Sequence, residues 1–366
     1  MVEKDLSQNE KGIFKHSEGA ERPLVTFALI AYNQEQFIRE AVNAALSQDY
    51  DPLEIILSDD CSSDRTFEIM EELCSADRLN RSVILRRNHK NFGPAQHVNA
   101  VLDQARGDLI VLAAGDDISF PNRTSVLVEN WLAAGKPAAL CSQAIIIDDK
   151  GDVISERFTW YDGTYPEADE PRQISMSKLL KNEGRILLGA TEAWSRRVLE
   201  VFGPLERNVI HEDNVVSLRA WLLDRIVYVV EPLVQYRSHS SNIHHRVATP
   251  VSSFDENIAN ELRAIQRKKN ALVTLTQHGL DLKVAIANKL ITEREYNIYD
   301  KLLRMQVDDV TSQVCWWDSN VLRRLAYLLK MLIISKREAF FYYAPRVVGL
   351  RLFCLARSAL IGCRRS

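Results

Sequence analysis

Apolar runs and amphipathic stretches alternate along the chain from residue 23 to about residue 144. The first run, LVTFALIAYN, is rich in β-forming residues and ends in polar ones, and QFIREAVNAALSQ follows with apolar side chains at helical spacing. The alternation continues through LEIILSDD, a helix over 64–77, SVILRR, a helix through AQHVNAVLDQA, and DLIVLAAGDD. Strands separated by amphipathic helices form βαβ units, so the pattern predicts an α/β fold with a mostly parallel central sheet flanked by helices.

Three of the predicted strands end in polar or acidic tips, AYN, SDDCSSD and AGDD. Ligands of parallel sheets bind beyond the carboxyl ends of the strands, so we expect these tips to meet in one crevice. In the third tip, Asp116 and Asp117 place two like charges side by side. Paired carboxylates suit Mg²⁺ or Mn²⁺ together with substrate phosphates. Alternatively, the pair only begins a turn before a helix that opens at Pro121.

Two other acidic segments are each open to two interpretations. SDDCSSD is either a turn whose side chains hydrogen-bond to their own backbone or part of a nucleobase site. In the second interpretation Asp60 accepts a base N–H and Tyr32 stacks on the base. HED at 211–213 either complements a helix dipole or supplies a general base for an attacking hydroxyl. A third segment, YRSHSSNIHHR, is rich in histidine, and for His244 and His245 an exposed loop is favoured over a metal cluster.

Beyond residue 145 the pattern becomes mixed. We expect a short helix near 174–181, a helix through DNVVSLRAWLLD and a strand through RIVYVVEPLVQYR. After a polar linker at 246–253, helices are predicted over 254–277, over 292–307 and from 320 to about 335. The C-terminal third is therefore predicted to be helical.

The composition is that of a folded soluble enzyme. The chain has 366 residues and a formal net charge of −3, which argues against a nucleic-acid partner. Six scattered cysteines without a CxxC motif are typical of reduced, cytosolic thiols. The polar N-terminal segment lacks the apolar core of a signal peptide, and no apolar run reaches about 18 residues. We therefore expect a cytoplasmic protein.

The C-terminal segment 321–366 is basic, with about ten Lys or Arg residues against Glu338 as its one acid. A leucine-rich helical face and the aromatic run FFYY accompany these charges. Such a segment can lie on an anionic membrane surface, which would place the protein at the cytoplasmic face of the inner membrane. The alternative is a helical cap on the catalytic domain whose basic face is only solvated.

Three common motifs are missing from the sequence: GxGxxG after the first strand, GxxxxGK[ST], and HExxH. Their absence argues against dehydrogenase-type dinucleotide binding, a P-loop NTPase and a zincin-type metalloprotease.

The polar strand tips and the HED segment, in their order along the chain, resemble the motifs of glycosyltransferase family 2, the large inverting family with the GT-A fold. The resemblance rests on VTFALIAYNQEQFIREAVNAALSQDYDPLEIILSDDCSSDRT, on NFG and GDLIVLAAGDDISFP, on HEDNVVSLRA, and on YRSH. It spans about 60% of the chain. It implies a GT-A nucleotide-diphospho-sugar transferase fold, with a nucleotide-sugar-binding half at 23–125 and an acceptor-binding half at 126–245. A disordered tail at 1–22 and a helical extension at 246–366 flank these halves.

The resemblance also assigns roles to individual residues. Asp213 matches the catalytic base, Glu212 is its usual neighbour, and Asp117 and Asp116 match the metal motif with Asp117 as the direct ligand. His239 matches a histidine that approaches the diphosphate and metal. The expected donor-binding residues are Ala31, Tyr32, Asn33, Asp60, Asn91, Gly93, Asn99 and Asp116. Two positions depart from the family pattern, since Gly115 stands where many members have an acid and Ile30 where a hydroxyl is frequent.

The implied activity is inverting transfer of a sugar from a UDP- or dTDP-sugar, with Mg²⁺ or Mn²⁺, to a hydroxyl of a saccharide or lipid-linked glycan. A role in making surface polysaccharide, lipopolysaccharide or capsule follows from such an acceptor, and a homo-oligomer is compatible with the sequence. Two alternatives remain: a nucleotidyltransferase that makes sugar nucleotides, and a non-catalytic nucleotide-sugar-binding protein. The former usually carries a glycine-rich, basic loop after its first strand, which AYNQEQ does not provide.

Overall fold

The computed structural model of the chain describes residues 22–76, 82–158, 188–239 and 254–318. Over these residues, nine strands form one sheet. The strands are β1 (Val25–Ala31), β2 (Leu53–Asp59), β3 (Ser82–Arg87), β4 (Leu109–Ala114), β5 (Ile118–Ser119), β6 (Ala139–Ile147), β7 (Val153–Ser155), β8 (Glu192–Ser195) and β9 (Ile226–Arg237). The helices are α1 (Ile38–Leu46), α2 (Thr66–Ala76), α3 (Pro94–Leu102), α4 (Arg123–Ala133), α5 (Arg197–Phe202), α6 (Glu212–Leu223), α7 (Phe254–Ala287) and α8 (Glu293–Asp318).

The strand order is β3-β2-β1-β4-β8-β6-β9-β5, with β7 paired to the edge of β6. The first four strands are parallel, as the βαβ pattern predicts. Beyond β4 the sheet becomes mixed, because β8 inserts antiparallel to both of its neighbours, β4 and β6. The two halves expected on either side of residue 125 therefore share a single sheet.

Alternating side chains of the buried strands cover the two faces of the sheet. In β1, Phe27 and Leu29 face the core formed with α1, α2 and α4. Ala28, between them, faces the core formed with α3, α5 and α6. Strands buried on both faces read as continuous apolar runs, which explains the pattern from which they were predicted. Helices on both faces confirm the predicted α/β architecture.

The C-terminal helices are longer than predicted and pack on the sheet domain. Helix α7 continues ten residues beyond the predicted end at 277, and α8 continues to Asp318. Both share a third apolar core with α5 and α6, which includes Phe202, Leu218, Leu282 and Leu303. Deep in this contact, Arg219 of α6 and Asp281 of α7 form a buried ion pair with two N–O distances of 3.0 Å.

Several sequence predictions lie outside the described residues. They are the helix near 174–181, the helix from 320, the basic segment 321–366, the histidines 244 and 245, and all but the last residue of the tail at 1–22. Among the helices that the structure describes, none combines the length and apolar character needed to cross a bilayer.

Candidate functional site

A cavity of about 1010 Å³ opens at the carboxyl ends of β1, β2 and β4. The tips of these strands meet there because the strands are in parallel register, with Ala31 beside Asp59 and Ile30 beside Ala114. The volume suits a ligand of nucleotide-sugar size. Predicted site residues that line the cavity are Ala31, Tyr32, Asn33, Asp60, Asn91, Gly93, Asp116, Asp117, Glu212, Asp213 and His239.

Asn99 is the predicted site residue that falls outside this lining. Its amide lies on α3 and makes two hydrogen bonds to the backbone of Leu205, donating to the carbonyl at 2.8 Å and accepting from the N–H at 2.9 Å. Asn99 therefore fixes the loop after α5 to α3.

The loops after β1 and β2 are joined by hydrogen bonds that shape the end of the cavity lined by Tyr32, Asn33 and Asp60. Asn33, in the left-handed region at φ 51°, donates its N–H to Ser62 Oγ at 2.8 Å. Its side-chain oxygen accepts the N–H of Ser63 at 2.8 Å. Tyr32, at the turn, remains 46% exposed toward the cavity. This exposure leaves a ring face available for stacking.

The neighbouring acids Asp59 and Asp60 serve different purposes. Asp59 points into the loop, where Arg87 lies 3.2 Å away and Ser62 donates its N–H at 2.9 Å. Asp60 lines the cavity and accepts three hydrogen bonds from protein groups: from Asn88 Nδ2 at 2.6 Å, from the Phe92 N–H at 2.8 Å and from the Gly93 N–H at 2.9 Å. The three bonds hold the Asp60 carboxylate in one orientation.

The acid pair after β4 is anchored by the end of β9. Oδ1 of Asp117 accepts the N–H of Arg237 at 2.8 Å, and the Asp116 carbonyl accepts Nε of Arg237 at 3.0 Å. Oδ2 of Asp116 lies 3.0 Å from Nε2 of His239. Burial, followed by the negative charge of Asp116, raises the pKa of Asp117 well above its ordinary range. In the absence of a cation, this environment disfavours a charged Asp117.

A second acidic group lies on the other side of the cavity, at the start of α6. Glu212 and Asp213 occupy the first turn, where the helix dipole favours negative charge. Oδ1 of Asp213 accepts the N–H of Asn214 at 2.8 Å. Burial, then the neighbouring charge of Asp213, raises the pKa of Glu212 to about 8. The pair therefore carries less than two negative charges at neutral pH.

The cavity wall is strongly acidic. Its described lining contributes the carboxyl groups of Glu35, Asp60, Asp64, Asp116, Asp117, Asp149, Glu212 and Asp213, while its basic side chains are His211 and His239. A polyanionic ligand would be repelled by such a wall unless a cation came with it. The lining thus suits a ligand that arrives with a divalent metal.

The acid pair offers a metal only a few ligands from the protein. The described residues contain no cluster of three or more His, Cys, Asp or Glu side chains arranged around a preformed cation site. A hard cation that is shared with substrate phosphates needs only one or two carboxylates from the protein. Asp116 and Asp117 supply that number on the cavity wall, and His239 lies beside them. The residues therefore fit a metal that binds together with a diphosphate.

Three buried charged residues next to the site were not found from the sequence. Arg237 lies under the acid pair, Arg123 donates to the Leu112 carbonyl at 2.7 Å beneath the sheet, and Glu192 starts β8 behind Glu212. Each stands in or beside an apolar run, where a charged residue is normally exposed. Their burial depends on contacts with residues that are far away in the sequence, and these contacts are seen only in the structure.

Comparison with known proteins gives a family match. The model described as "Glycosyl transferase family 2" matches residues 26–188. A Bacillus subtilis (strain 168) protein named as a glycosyltransferase, EpsH, is 26% identical over 305 residues, which cover 78% of this chain and 83% of EpsH. The succinoglycan biosynthesis protein ExoO from Rhizobium meliloti (strain 1021) is 35% identical over 118 residues, 32% of each chain.

Among solved structures, the mannosyltransferase PcManGT from Pyrobaculum calidifontis, in complex with GDP-Man and Mn²⁺, is similar to this chain. The alignment has 16% identity and a TM-score of 0.47, over 81% of this chain and 88% of that one. The family match, together with the sheet and its flanking helices, confirms the predicted GT-A fold.

Proposed function

Because residues 26–188 belong to glycosyl transferase family 2, we propose that this protein transfers a sugar from a UDP- or dTDP-sugar to a hydroxyl group with inversion of the anomeric carbon. The observation that carries the proposal is the distribution of acids in one cavity. Asp60 lies near Tyr32 at one end, Asp116 and Asp117 follow β4, and Asp213 begins α6. These groups correspond to a nucleobase site, a diphosphate site and a base.

The hydrogen bonds of Asp60 support a pyrimidine donor. A carboxylate has about four lone-pair sites, and protein donors occupy three of those on Asp60. One acceptor position remains. Uracil and thymine each offer a single ring N–H, whereas guanine offers a ring N–H together with an amino group. We therefore expect Asp60 to accept the pyrimidine N3–H while Tyr32 stacks on the ring.

The acid pair supports a divalent cation, Mg²⁺ or Mn²⁺, as the counterion of the diphosphate. We expect Asp117 to ligate it, with Asp116 and His239 beside the phosphates. When bound, the cation supplies charge neutralisation for the departing diphosphate. The role of Arg237 is to hold both acids in place through the two hydrogen bonds that it donates.

Asp213 is the proposed general base. Inversion by a single displacement requires the acceptor hydroxyl to attack from the face opposite the diphosphate, the arrangement that inverting glycosidases also use. Asp213 and the acid pair line the same cavity from different elements, the start of α6 and the end of β4. A carboxylate at Asp213 would take the hydroxyl proton as the new C–O bond forms, and the sugar–diphosphate bond breaks in the same step.

The proposed acceptor is a saccharide or lipid-linked glycan of a surface polysaccharide such as capsule or lipopolysaccharide. The name of ExoO, succinoglycan biosynthesis protein, supports this class. The basic segment 321–366 supports a peripheral position on an anionic membrane at the cytoplasmic face, where lipid-linked acceptors are found.

Calorimetry with Mn²⁺ tests the donor, using a panel of UDP-glucose, UDP-N-acetylglucosamine, a dTDP-sugar and GDP-mannose. We expect one of the pyrimidine donors to bind, and to bind more weakly without metal. Release of nucleoside diphosphate from that donor then tests catalysis. Asp213→Asn should lower turnover roughly 10²- to 10⁴-fold, the usual contribution of a general base, while donor binding persists.

The exposed acid Glu71, on α2, provides the matched control as Glu71→Gln. Full turnover in Asp213→Asn would exclude Asp213 as the base. If no nucleotide sugar binds in the presence of Mn²⁺, the proposed function itself is wrong. A pyrophosphate product from a nucleoside triphosphate and a sugar phosphate would instead identify a nucleotidyltransferase.

A further inference from the structure

Asn88 is a buried residue that contacts Asp60 from outside the cavity. It directly follows β3, is 4% exposed, and is not part of the cavity lining, whereas Asp60 is. Its backbone N–H donates to the carbonyl of Asp59 at 2.8 Å, which fixes its main chain to the end of β2. Its side-chain Nδ2 donates to Oδ1 of Asp60 at 2.6 Å. Any effect of Asn88 on a ligand in the cavity would therefore pass through Asp60.

The orientation of the Asn88 amide is set by Arg86. Nη2 of Arg86 donates to Oδ1 of Asn88 at 2.6 Å. A guanidinium has donors and no acceptor, so the amide oxygen must face Arg86 and the NH₂ group must face Asp60. The two possible orientations of the amide are thus distinguished by its hydrogen-bond partners. Asn88 connects a positioned arginine to the carboxylate of Asp60.

Arg86 is itself held by β2 and α3. Its Nη1 donates to Oγ of Ser58 at 2.6 Å, and this Oγ lies 2.6 Å from Nε2 of His97. Burial lowers the pKa of His97 to about 4, so its neutral imidazole can accept the Ser58 proton. Helix α3, which carries His97, follows Gly93, and the Gly93 N–H donates to Oδ2 of Asp60 at 2.9 Å. The contacts form a closed circuit that begins and ends at Asp60.

The two carboxylate oxygens of Asp60 have different numbers of partners. Oδ1 accepts Asn88 Nδ2 at 2.6 Å and the Phe92 N–H at 2.8 Å, which occupies both of its lone-pair sites. Among the described residues, Oδ2 accepts the Gly93 N–H at 2.9 Å. One lone-pair site therefore remains, and it belongs to Oδ2. A base N–H that enters the cavity would be accepted by this oxygen.

We propose that Asn88 is a positioning residue for the nucleobase: by occupying Oδ1 of Asp60, it presents Oδ2 as the acceptor for the N3–H of a pyrimidine. The inference rests on the proposed function, because it concerns how the same carboxylate recognises the base. Arg86 contributes through Asn88, by fixing the amide. A carboxylate that is already held in its bound orientation loses less conformational freedom when the ligand arrives, so the ligand binds more tightly.

A purely structural role is the alternative, in which the circuit only joins β2, β3 and α3. Loss of Asn88 would then lower the fraction of folded protein without changing how tightly the folded protein binds the donor. The two roles differ in their kinetics. A smaller active fraction lowers the apparent kcat and leaves KM unchanged, whereas loss of a contact that contributes equally to the ground and transition states raises KM and leaves kcat unchanged.

Calorimetry of the full-length protein with UDP and Mn²⁺ tests the positioning role. Asn88→Ala should raise the Kd for UDP about tenfold, because Asp60 loses its support. Asn88→Asp has the same size and keeps an acceptor for Arg86, but it replaces the donor that faces Asp60, so it should weaken binding by at least as much. This second variant leaves no cavity that could disturb the fold.

Asn130→Ala is the matched control. Asn130 is half-buried on α4, lies outside the cavity lining, and donates one side-chain hydrogen bond to the Val126 carbonyl at 2.9 Å. Its loss should leave the Kd for UDP unchanged. With the sugar donor that the enzyme uses, Asn88→Ala should raise KM about tenfold and keep kcat within about twofold. A lower kcat with the wild-type KM would identify the structural role and overturn the proposal.

A double-mutant cycle tests whether Arg86 acts through Asn88. Arg86→Ala alone should weaken UDP binding, because the amide is no longer fixed. When combined with Asn88→Ala, it should raise the Kd by less than about twofold beyond the effect of Asn88→Ala. Additive losses would show that Arg86 acts on the nucleotide independently of Asn88, which would overturn the connection between them.

Failure of the proposed function can be told apart from failure of this inference. A wild-type protein that binds neither UDP nor dTDP in the presence of Mn²⁺ removes the pyrimidine donor, and the role of Asn88 with it. A wild-type protein that binds UDP, with Asn88→Ala and Asn88→Asp of equal affinity, removes the positioning role alone.

Discussion

The backbone N–H of Arg237 donates to Oδ1 of Asp117 at 2.8 Å, so the last residue of β9 anchors an acid that follows β4. The Arg237 side chain continues this anchoring, since its Nη1 donates to the carbonyl of Asp148 at 3.1 Å and its Nη2 pairs with Glu40. Its guanidinium also lies 4.8 Å from the ring centroid of Phe37. One buried side chain thus joins α1, the acid pair and the loop after β6.

Arg237→Ala should lower the free energy of unfolding by roughly 2–3 kcal/mol, because it removes charge-assisted hydrogen bonds and leaves buried carbonyls unpaired. Urea unfolding measures this change. Arg39→Ala is the matched control, since Arg39 pairs with Glu72 at 3.1 Å on the exposed surface, and it should change stability by less than about 1 kcal/mol. Equal losses in the two variants would contradict the anchoring role.

Asp281→Ala should destabilise the protein by about 3–5 kcal/mol, because it leaves Arg219 charged and unpaired in the core between α6 and α7. Asp300→Ala breaks a pair with Arg304 in which the arginine side chain is 75% exposed, and we expect about 0.5 kcal/mol or less. Thermal or urea unfolding of both variants measures the difference. A small effect at Asp281 would mean that α7 contributes little to holding α6.

Asp60→Asn should weaken binding of UDP about 10- to 100-fold in the presence of Mn²⁺. The substitution places an amide where the carboxylate accepts the N–H groups of Phe92 and Gly93, and it removes a charged acceptor worth roughly 1.5–3 kcal/mol. Calorimetry with UDP and with GDP measures the effect. Unchanged UDP affinity would argue that the nucleobase binds away from Asp60.

The raised pKa of Glu212, about 8, gives the metal-free protein a pH-dependent stability. Between about pH 4.5 and pH 8 the folded state binds more protons at Glu212 than the unfolded state does, so the free energy of unfolding falls as pH rises through this window. Glu212→Gln lacks this pH dependence. The free energy of unfolding of the variant minus that of wild type should therefore be larger at pH 8.5 than at pH 5.5. Urea unfolding at the two pH values, with exposed Glu71→Gln as control, measures it.

Gly115→Ala should cost about 1–3 kcal/mol of stability and weaken donor binding. A Cβ at position 115 would lie 2.5 Å from Gln34 Oε1 and 2.7 Å from the Cβ of Ala31. Gly189→Ala is the control on the opposite wall, where a Cβ would be 3.6 Å from Glu212 Oε1, an ordinary contact. The same close approach leaves no space for a larger side chain at position 115 unless Gln34 and Ala31 move.

Much of the cavity at the carboxyl ends of β1, β2 and β4 could be predicted from the sequence, because it depends on local pattern. Apolar runs followed by polar tips identify parallel strands, and parallel strands bring Asp60 and Asp117 to one edge without knowledge of any long-range contact. The order of β8, β6, β9 and β5 could not be predicted in this way. It depends on three antiparallel pairings and on the parallel pairing of β6 with β9, and no repeated βαβ pattern connects these segments.

The buried charges could not be predicted for a related reason. Arg237 and Glu40 are 197 residues apart, and Arg219 and Asp281 are 62 apart, so no sequence spacing links the partners. Asn99 is a different case. The family segment that contains it predicts a donor contact, whereas its amide is engaged with Leu205, 106 residues away.

The buried pair of Arg219 and Asp281 joins α7 to α6, and this contact limits which shortened proteins can be used to measure binding to lipid. A protein shortened at residue 246 loses α7 and α8, and with them the apolar surface that covers Phe202 and Leu218. Exposed patches of that kind adhere to vesicles without any specific affinity. Deletion of 319–366 alone keeps α7, α8 and every described residue around the pair, so liposome sedimentation of that shorter protein measures the contribution of the basic segment.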